Sequence, residues 1–191
     1  MRSTRSVSLV VVASTLMLAA PVAAVAQAAM DMPAQRAKQP PASPRDSLKV
    51  TIAGADLSVN YGRPSKRGRE IFGGLSDMKW GMVWRMGANE ATAFTTSKAL
   101  QFGAATVPAG KYTLFSKLDQ GGKWELIVSK QTGQWGTAYD AAHDLVHIPM
   151  IVTTLPTIVE QMTLAVKPSG KGGELSMEWD KTRAAAAFTV K

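Results

Sequence analysis

An all-β domain is what this 191-residue sequence predicts, on three observations. From about Ser47 the apolar residues recur at every second position over short runs, the period of a half-buried strand. Breaks rich in Gly, Pro and Asp separate the runs at hairpin-like intervals. No segment after residue 43 sustains the apolar stripe of a helix packed on a sheet, so a βαβ architecture is not supported. The expected form is an antiparallel β-sandwich or partly closed barrel of about 8–9 strands, with one long Gly-rich connection.

The first residues read differently. Arg2 and Arg5 precede an apolar run from Val7 to Ala20, and Ala24-Val25-Ala26 gives a small-x-small cleavage pattern, so residues 1–26 read as a secretory signal peptide. That run is 14 residues long, short of the roughly 20 that span a bilayer. No transmembrane segment is therefore expected after signal cleavage, an uncleaved anchor being the alternative. The chain has no Cys, which excludes disulfides, thiol chemistry and a lipoprotein anchor. Periplasmic or secreted location follows. Residues 27–43, rich in Pro, Gln and Ala without an apolar period, read as a disordered linker. Residues 44–191 form a single β domain, long enough to stabilise itself through its own core.

Along that domain "LKVTI" alternates Leu48, Val50 and Ile52, and "LSVNY" alternates Leu57, Val59 and Tyr61. "AGAD" between them makes a hairpin. "KYTLFSK" and "KWELIVS" flank "LDQGG" as a second hairpin, and Pro108 and Gly110 supply turn geometry before it. "DLVHIPMIVT" is strand, with Pro149 calling for an edge or a bulge. "TIVEQMTLAV" and "ELSMEWD" follow, the latter with Leu175, Met177 and Trp179 on one side. "RAAAAFTV" could begin as helix, but it is short and ends in Phe-Thr-Val.

Without residues 1–26 the chain holds 20 Lys and Arg against 14 Asp and Glu, a formal charge of +6. Weak attraction to anionic envelope polymers, lipid headgroups or acidic sugars is consistent with that balance, as is plain solubility. No nucleic-acid partner and no cofactor are expected; the phosphate-cradling Gly-rich loop and the nucleophile elbow are both missing. The sequence leaves oligomeric state open.

The longest gap in the strand pattern runs from Gly62 to about Ala91, and long connections in compact domains are often functional. It holds a basic group, Arg63, Lys66, Arg67 and Arg69, and a mixed one, Trp84, Arg85, Asn89 and Glu90. Guanidinium groups bind carboxylate or phosphate in bidentate fashion, Tyr61 or Trp84 could stack on a sugar ring, and the glycines allow close backbone approach. The candidate ligand-binding residues are therefore Tyr61, Arg63, Arg69, Trp84, Arg85, Asn89 and Glu90, for an anionic or glycan ligand of the cell envelope. A structural reading stands beside this one. Arg85 could tie down loop carbonyls and pair Glu90, Asn89 could cap a turn, Tyr61 and Trp84 could be core, and Lys66 and Arg67 could be solvated. Two further alternatives are a hydrolase using Glu90 with Arg85 as electrostatic stabiliser, and an envelope protein with no ligand.

The blocks "YGRPSKRGREIFGGL", "VWRMGANEATAFT", "VPAGKYTLF", "KWELIVSK", "QWGTAYD" and "SMEWD", in that order, resemble the domain of unknown function family 2911 over nearly all of residues 44–191. The resemblance implies an exported, mostly β domain and brings no catalytic residues with it.

Three other patterns carry less. His143 and His147 would share a helix face, but on a strand they stand about 13 Å apart and cannot hold one metal. No metal site is expected. Glu160 shares the phase of Ile158, Met162, Leu164 and Val166, so if buried it needs a partner, here an arginine. Trp135 and Tyr139 in "QWGTAYD" read as closing the end of a sandwich, with a sugar platform as the alternative.

Overall fold

A computed structural model describes residues 42–75 and 78–191. The signal peptide read over residues 1–26, and the linker read over 27–43 as far as residue 41, lie outside them.

β1 (Arg45–Ile52) and β2 (Ala55–Gly62) form the first expected hairpin, in register from Arg45 opposite Gly62 to Ile52 opposite Ala55. The linking residues Ala53 and Gly54 both have positive φ, 48° and 76°, as a two-residue turn matched to strand twist requires. On β2, Leu57, Val59 and Tyr61 point inward and are buried. Then come β3 (Val83–Trp84), β4 (Thr92–Thr96), β5 (Leu100–Phe102), β6 (Ala105–Val107), β7 (Gly110–Lys117) and β8 (Trp124–Ser129). A one-turn 3₁₀ helix, Ala141–His143, precedes β9 (Asp144–Ser169) and β10 (Gly172–Val190). There is no α-helix among the described residues, and the alanine run of β10 is strand.

All pairing is antiparallel, in the order β1-β2-β4-β7-β8-β9-β10-β5-β6, with β3 on β7. The ten-stranded sheet folds over itself as a sandwich and is not closed into a barrel.

β9 makes the fold-over. Its start pairs β8, from Ser129 opposite Asp144 to Trp124 opposite Met150. From Ile151 onward it pairs β10 instead. Pro149 lies where β9 has a paired strand on one side only, which meets the edge condition for proline. The sequence divides this strand in two at "TTLPT", whereas the structure carries it through as one 26-residue element. Thr154 faces Thr182 and Val159 faces Asp180, so β9 bulges around Leu155 and Pro156. A second register shift, between Val159 opposite Asp180 and Thr163 opposite Glu178, resets the inward phase. Met162 and Leu164 are buried, but Ile158 is 54% exposed. Glu160 is exposed as well, so the condition under which it would need an arginine side chain is not met; its carboxylate accepts the Arg67 backbone N–H at 2.8 Å.

Two contacts join the layers inside the apolar core. The Tyr61 hydroxyl of β2 accepts the Leu164 backbone N–H of β9 at 3.0 Å. Trp84 of β3 stacks on Trp179 of β10, with centroids 5.9 Å apart and planes 22° from parallel. Phe72 extends this cluster, 4.8 Å from Trp124 and 6.4 Å from Trp179. The Trp179 indole N–H is satisfied by the Glu160 carbonyl at 3.1 Å.

Trp179→Ala is expected to cost about 3–5 kcal/mol of unfolding free energy, the range for deleting a buried aromatic. Tyr61→Phe is expected to cost about 1–3 kcal/mol, because it strands a buried backbone N–H. Denaturant melts of both variants check this; a Tyr61→Phe midpoint equal to wild type would refute the inter-layer role of the hydroxyl.

Candidate functional site

The long connection from residue 62 to 91 is stitched to the sandwich at both ends. At its start, Met162 donates its N–H to the Pro64 carbonyl at 2.9 Å and Lys66 donates to the Glu160 carbonyl at 2.7 Å. The Lys66 ammonium pairs with Asp180 at 2.7 Å. Arg63 fastens the same seam, donating to the Met162 carbonyl at 3.1 Å, the Thr163 hydroxyl at 2.8 Å and Asp46 at 3.1 Å. In the middle, Ile71 and Met78 are fully buried and Phe72 joins the tryptophan cluster.

The end of the connection, residues 85–91, is built from close backbone contacts. A Cβ on Gly62 would lie 2.2 Å from the Ala88 carbonyl oxygen, so β2 can pass the loop only through glycine. On the other side Gly136 donates its N–H to the Asn89 carbonyl at 2.9 Å, and Glu90 pairs with Trp135 in an isolated bridge. A Cβ on Gly136 would come within 2.5 Å of Arg85 Cδ. Met86 and Asn89 take left-handed backbone, φ 47° and 65°. Left-handed geometry costs a non-glycine residue of order 1–3 kcal/mol and clusters at functional sites. Met86, fully buried, is held there by its surroundings.

This packing leaves a cleft of about 180 Å³ that brings together Arg69, Trp84, Arg85 and Asn89, four of the seven candidates, with Trp179 beneath them and Ser43 at the side. The half-buried Arg85 donates Nε–H to the Gly87 carbonyl at 3.2 Å, which fixes the plane of its guanidinium. Arg69 is exposed and donates from Nε to the Lys66 carbonyl at 2.9 Å and from Nη2 to the Ser65 carbonyl at 2.5 Å. The Asn89 amide donates to the Ser43 carbonyl at 3.5 Å. Arg85 also lines a second cleft of about 140 Å³, with Met82, Phe115, Gly136 and Tyr139.

The other three candidates lie outside both clefts. Tyr61 is 1% exposed, so its ring has no open face, and burial raises its hydroxyl pKa. Arg63 is the fastener described above. Glu90 is exposed and pairs with Arg45 at 2.6 Å, where the structural reading paired it with Arg85. Hydrogen bonds from its own backbone N–H and from Arg45 hold its carboxyl below the usual range.

Two site features escaped the sequence. Trp179 shares a strand face with Leu175 and Met177 in the sequence, with no sign there that it lines a cleft. Behind the second cleft, the Tyr139 hydroxyl donates to Asp144, and His147 lies 3.0 Å from Asp144 and 3.1 Å from Glu125. Burial and the Asp144 carboxylate drive the Tyr139 pKa well up. The hydrogen bond to Glu125, followed by that to Asp144, raises the His147 pKa above its ordinary 6.5. His143 is held by Asp140 at 3.1 Å. Among the described residues no group of three or more His, Cys, Asp or Glu is placed to hold a metal.

Gly136→Ala is expected to lower stability by about 1–3 kcal/mol, since the added methyl must push Arg85 or the Asn89 carbonyl aside; a thermal melt with an unchanged midpoint would contradict the close packing. His147 gains carboxylate partners on folding, so its folded pKa exceeds its unfolded one. Its contribution is fully present below about pH 6.5 and is lost as pH rises through the folded value. Unfolding free energy measured from pH 5 to 9 should therefore show a downward step that His147→Gln removes.

Residues 43–188 match the family described as protein of unknown function, DUF2911. No curated protein and no solved structure matches the chain. No helix among the described residues is long and apolar enough to cross a membrane.

Proposed function

This chain belongs to the DUF2911 family, and we propose that it is an exported binding module that takes an anionic group of a cell-envelope ligand into the Arg69–Arg85 cleft. The observation that carries this reading is the convergence of two guanidinium groups and one amide on a single small cleft over a tryptophan floor. Guanidinium forks match carboxylate and phosphate oxygens. Partial burial strengthens such pairs, because less water competes for the charge. Arg85, oriented by the Gly87 carbonyl, is the central ligand contact. Arg69 supplies a second charge from the rim and Asn89 a neutral hydrogen-bonding group. Trp84 forms the floor. Tyr61, Arg63 and Glu90 belong to the frame.

Export rests on the charged, apolar and small-residue order of residues 1–26, and periplasmic or secreted location follows from it. The net positive charge favours an anionic partner at long range. Binding is favoured over hydrolysis because Glu90 is ionised, paired and outside the cleft. A general acid needs a raised pKa beside the reacting bond.

Calorimetric titration of the wild-type chain with galacturonate and with inorganic phosphate tests the reading. Arg85→Ala should weaken binding about tenfold or more, as loss of charge-assisted hydrogen bonds does, while Arg85→Lys retains part of it. Unchanged affinity in Arg85→Ala would sink the proposal. A wild type that binds neither anion, together with a sharply lowered Arg85→Ala melting point, would assign Arg85 a purely structural role.

A further inference from the structure

Five large apolar side chains are exposed among the described residues. Trp80, Met82 and Trp135 lie on connections; Trp135 is 55% exposed where the sequence predicts it to close the sandwich. Ile151 and Ile158 lie on one strand, β9, and are 69% and 54% exposed. They mark a stretch of β9 with an open edge. Up to Met150, β9 has β8 on that edge. From Glu160 the start of the long connection is bonded to β9, through the Lys66 N–H to the Glu160 carbonyl and a bridge from Ser65 to Gln161. Between these contacts, residues 151–159 have β10 on one side and no strand on the other among the described residues. Residues 155–158 are out of register with β10 as well, since Thr154 faces Thr182 and Val159 faces Asp180.

These nine residues read "IVTTLPTIV" and carry no charge. Thr153, Thr154, Pro156 and Thr157 are exposed together with the two isoleucines. An open edge presents unpaired N–H and C=O groups to any strand laid beside it, and charged side chains are the usual guard against that. Here one proline is the whole guard.

We propose that this edge joins a second copy of the chain, the two stretches running antiparallel with Leu155 opposite Leu155. A two-fold interface uses the same patch on both copies, so the patch must complement itself. With Leu155 at the axis, Thr153 faces Thr157 of the second copy, Val152 faces Ile158 and Ile151 faces Val159. Cross-strand pairs of β-branched residues stabilise a sheet. Thr154 faces Pro156. Bonded and unbonded pairs alternate along an antiparallel ladder. A bonded pair at Leu155 therefore leaves this one unbonded, and the missing proline N–H costs no hydrogen bond. An axis one residue later, at Pro156, would set Glu160 against Val152. Charge points to the same occupant. The chain is net positive, so two copies repel, and an uncharged edge lets them meet at least cost. Residues 27–41 of the same chain would bring Pro33, Arg36, Lys38, Pro40 and Pro41 to the edge, which fit a ladder poorly.

Sedimentation of the full chain over a range of concentrations should show a reversible monomer–dimer equilibrium. Leu155→Lys, which sets two like charges face to face, should weaken it about tenfold or more. Thr157→Lys, at an exposed position, should weaken it too and carries the test should Leu155→Lys fail to fold. The chain has no Cys, so an introduced one reports the register. Opposite Cα atoms in a bonded pair stand about 5.5 Å apart, within disulfide reach. Under mild oxidation Leu155→Cys should therefore give a covalent dimer. Thr153→Cys alone should not, whereas the double variant Thr153→Cys/Thr157→Cys should. A chain that stays monomeric at every concentration would overturn the proposal and leave the edge to residues 27–41 or to an unlike strand. A dimer that withstands both lysine variants, or that links equally well through Thr153→Cys alone, would put the interface elsewhere and overturn it as well.

Discussion

The stack of Trp84 on Trp179 is the contact on which the site depends. Trp84 lies on the short β3, which pairs only β7, while Trp179 lies on β10 in the opposite layer. Two ring systems in offset contact bury a large apolar area and contribute beyond that area through their quadrupoles. Phe72 and Trp124 complete the cluster and pull the first half of the long connection onto it. Arg85 follows Trp84 directly in the chain, so its position is inherited from the stack. Buried Ile71 and Met78 and the Gly81 N–H to Leu118 carbonyl bond fix the middle of the Gly-rich connection beside this anchor.

Arginine is used here in two distinct ways. Arg63 and Arg45 close seams: one bonds β9 to the end of β2, the other ties β1 to the Glu90 carboxylate. Arg85 and Arg69 also donate to carbonyls, but they do so at a cleft wall and at its rim. A guanidinium has five donors in a planar fork. A lysine at either position would lack the second donor edge.

Glycine spacing complements this. At Gly62 and Gly136 a side chain would meet backbone or Arg85 at less than 2.6 Å. The loop of residues 85–91 therefore lies flat between β2 and the segment after β8. Its two left-handed residues, Met86 and Asn89, are held by contacts on both sides. The same segment after β8 carries Trp135 outward and, through Tyr139, joins Asp144 and His147 on β9. A protonatable group thus sits behind the second cleft, at the strand that turns one layer into the other.

The sequence by itself determined the all-β class, most of the longer strands and two hairpins, β1–β2 and β7–β8. Side-chain alternation and two-residue or Gly-rich turns are local properties, and Leu57, Val59, Tyr61, Leu175, Met177 and Trp179 all lie inside as their spacing requires. It also marked residues 62–91 as a stretch with little strand, because absence of period is local too. Tertiary structure alone decided the rest. Whether β9 runs through Pro156, and whether Glu160 faces in or out, depends on a bulge set by pairing with β10. Which arginine fastens and which faces a recess depends on partners 99 positions away, as for Arg63 and Met162. Residue type sets what a guanidinium can bind, while the fold sets which oxygens reach it first.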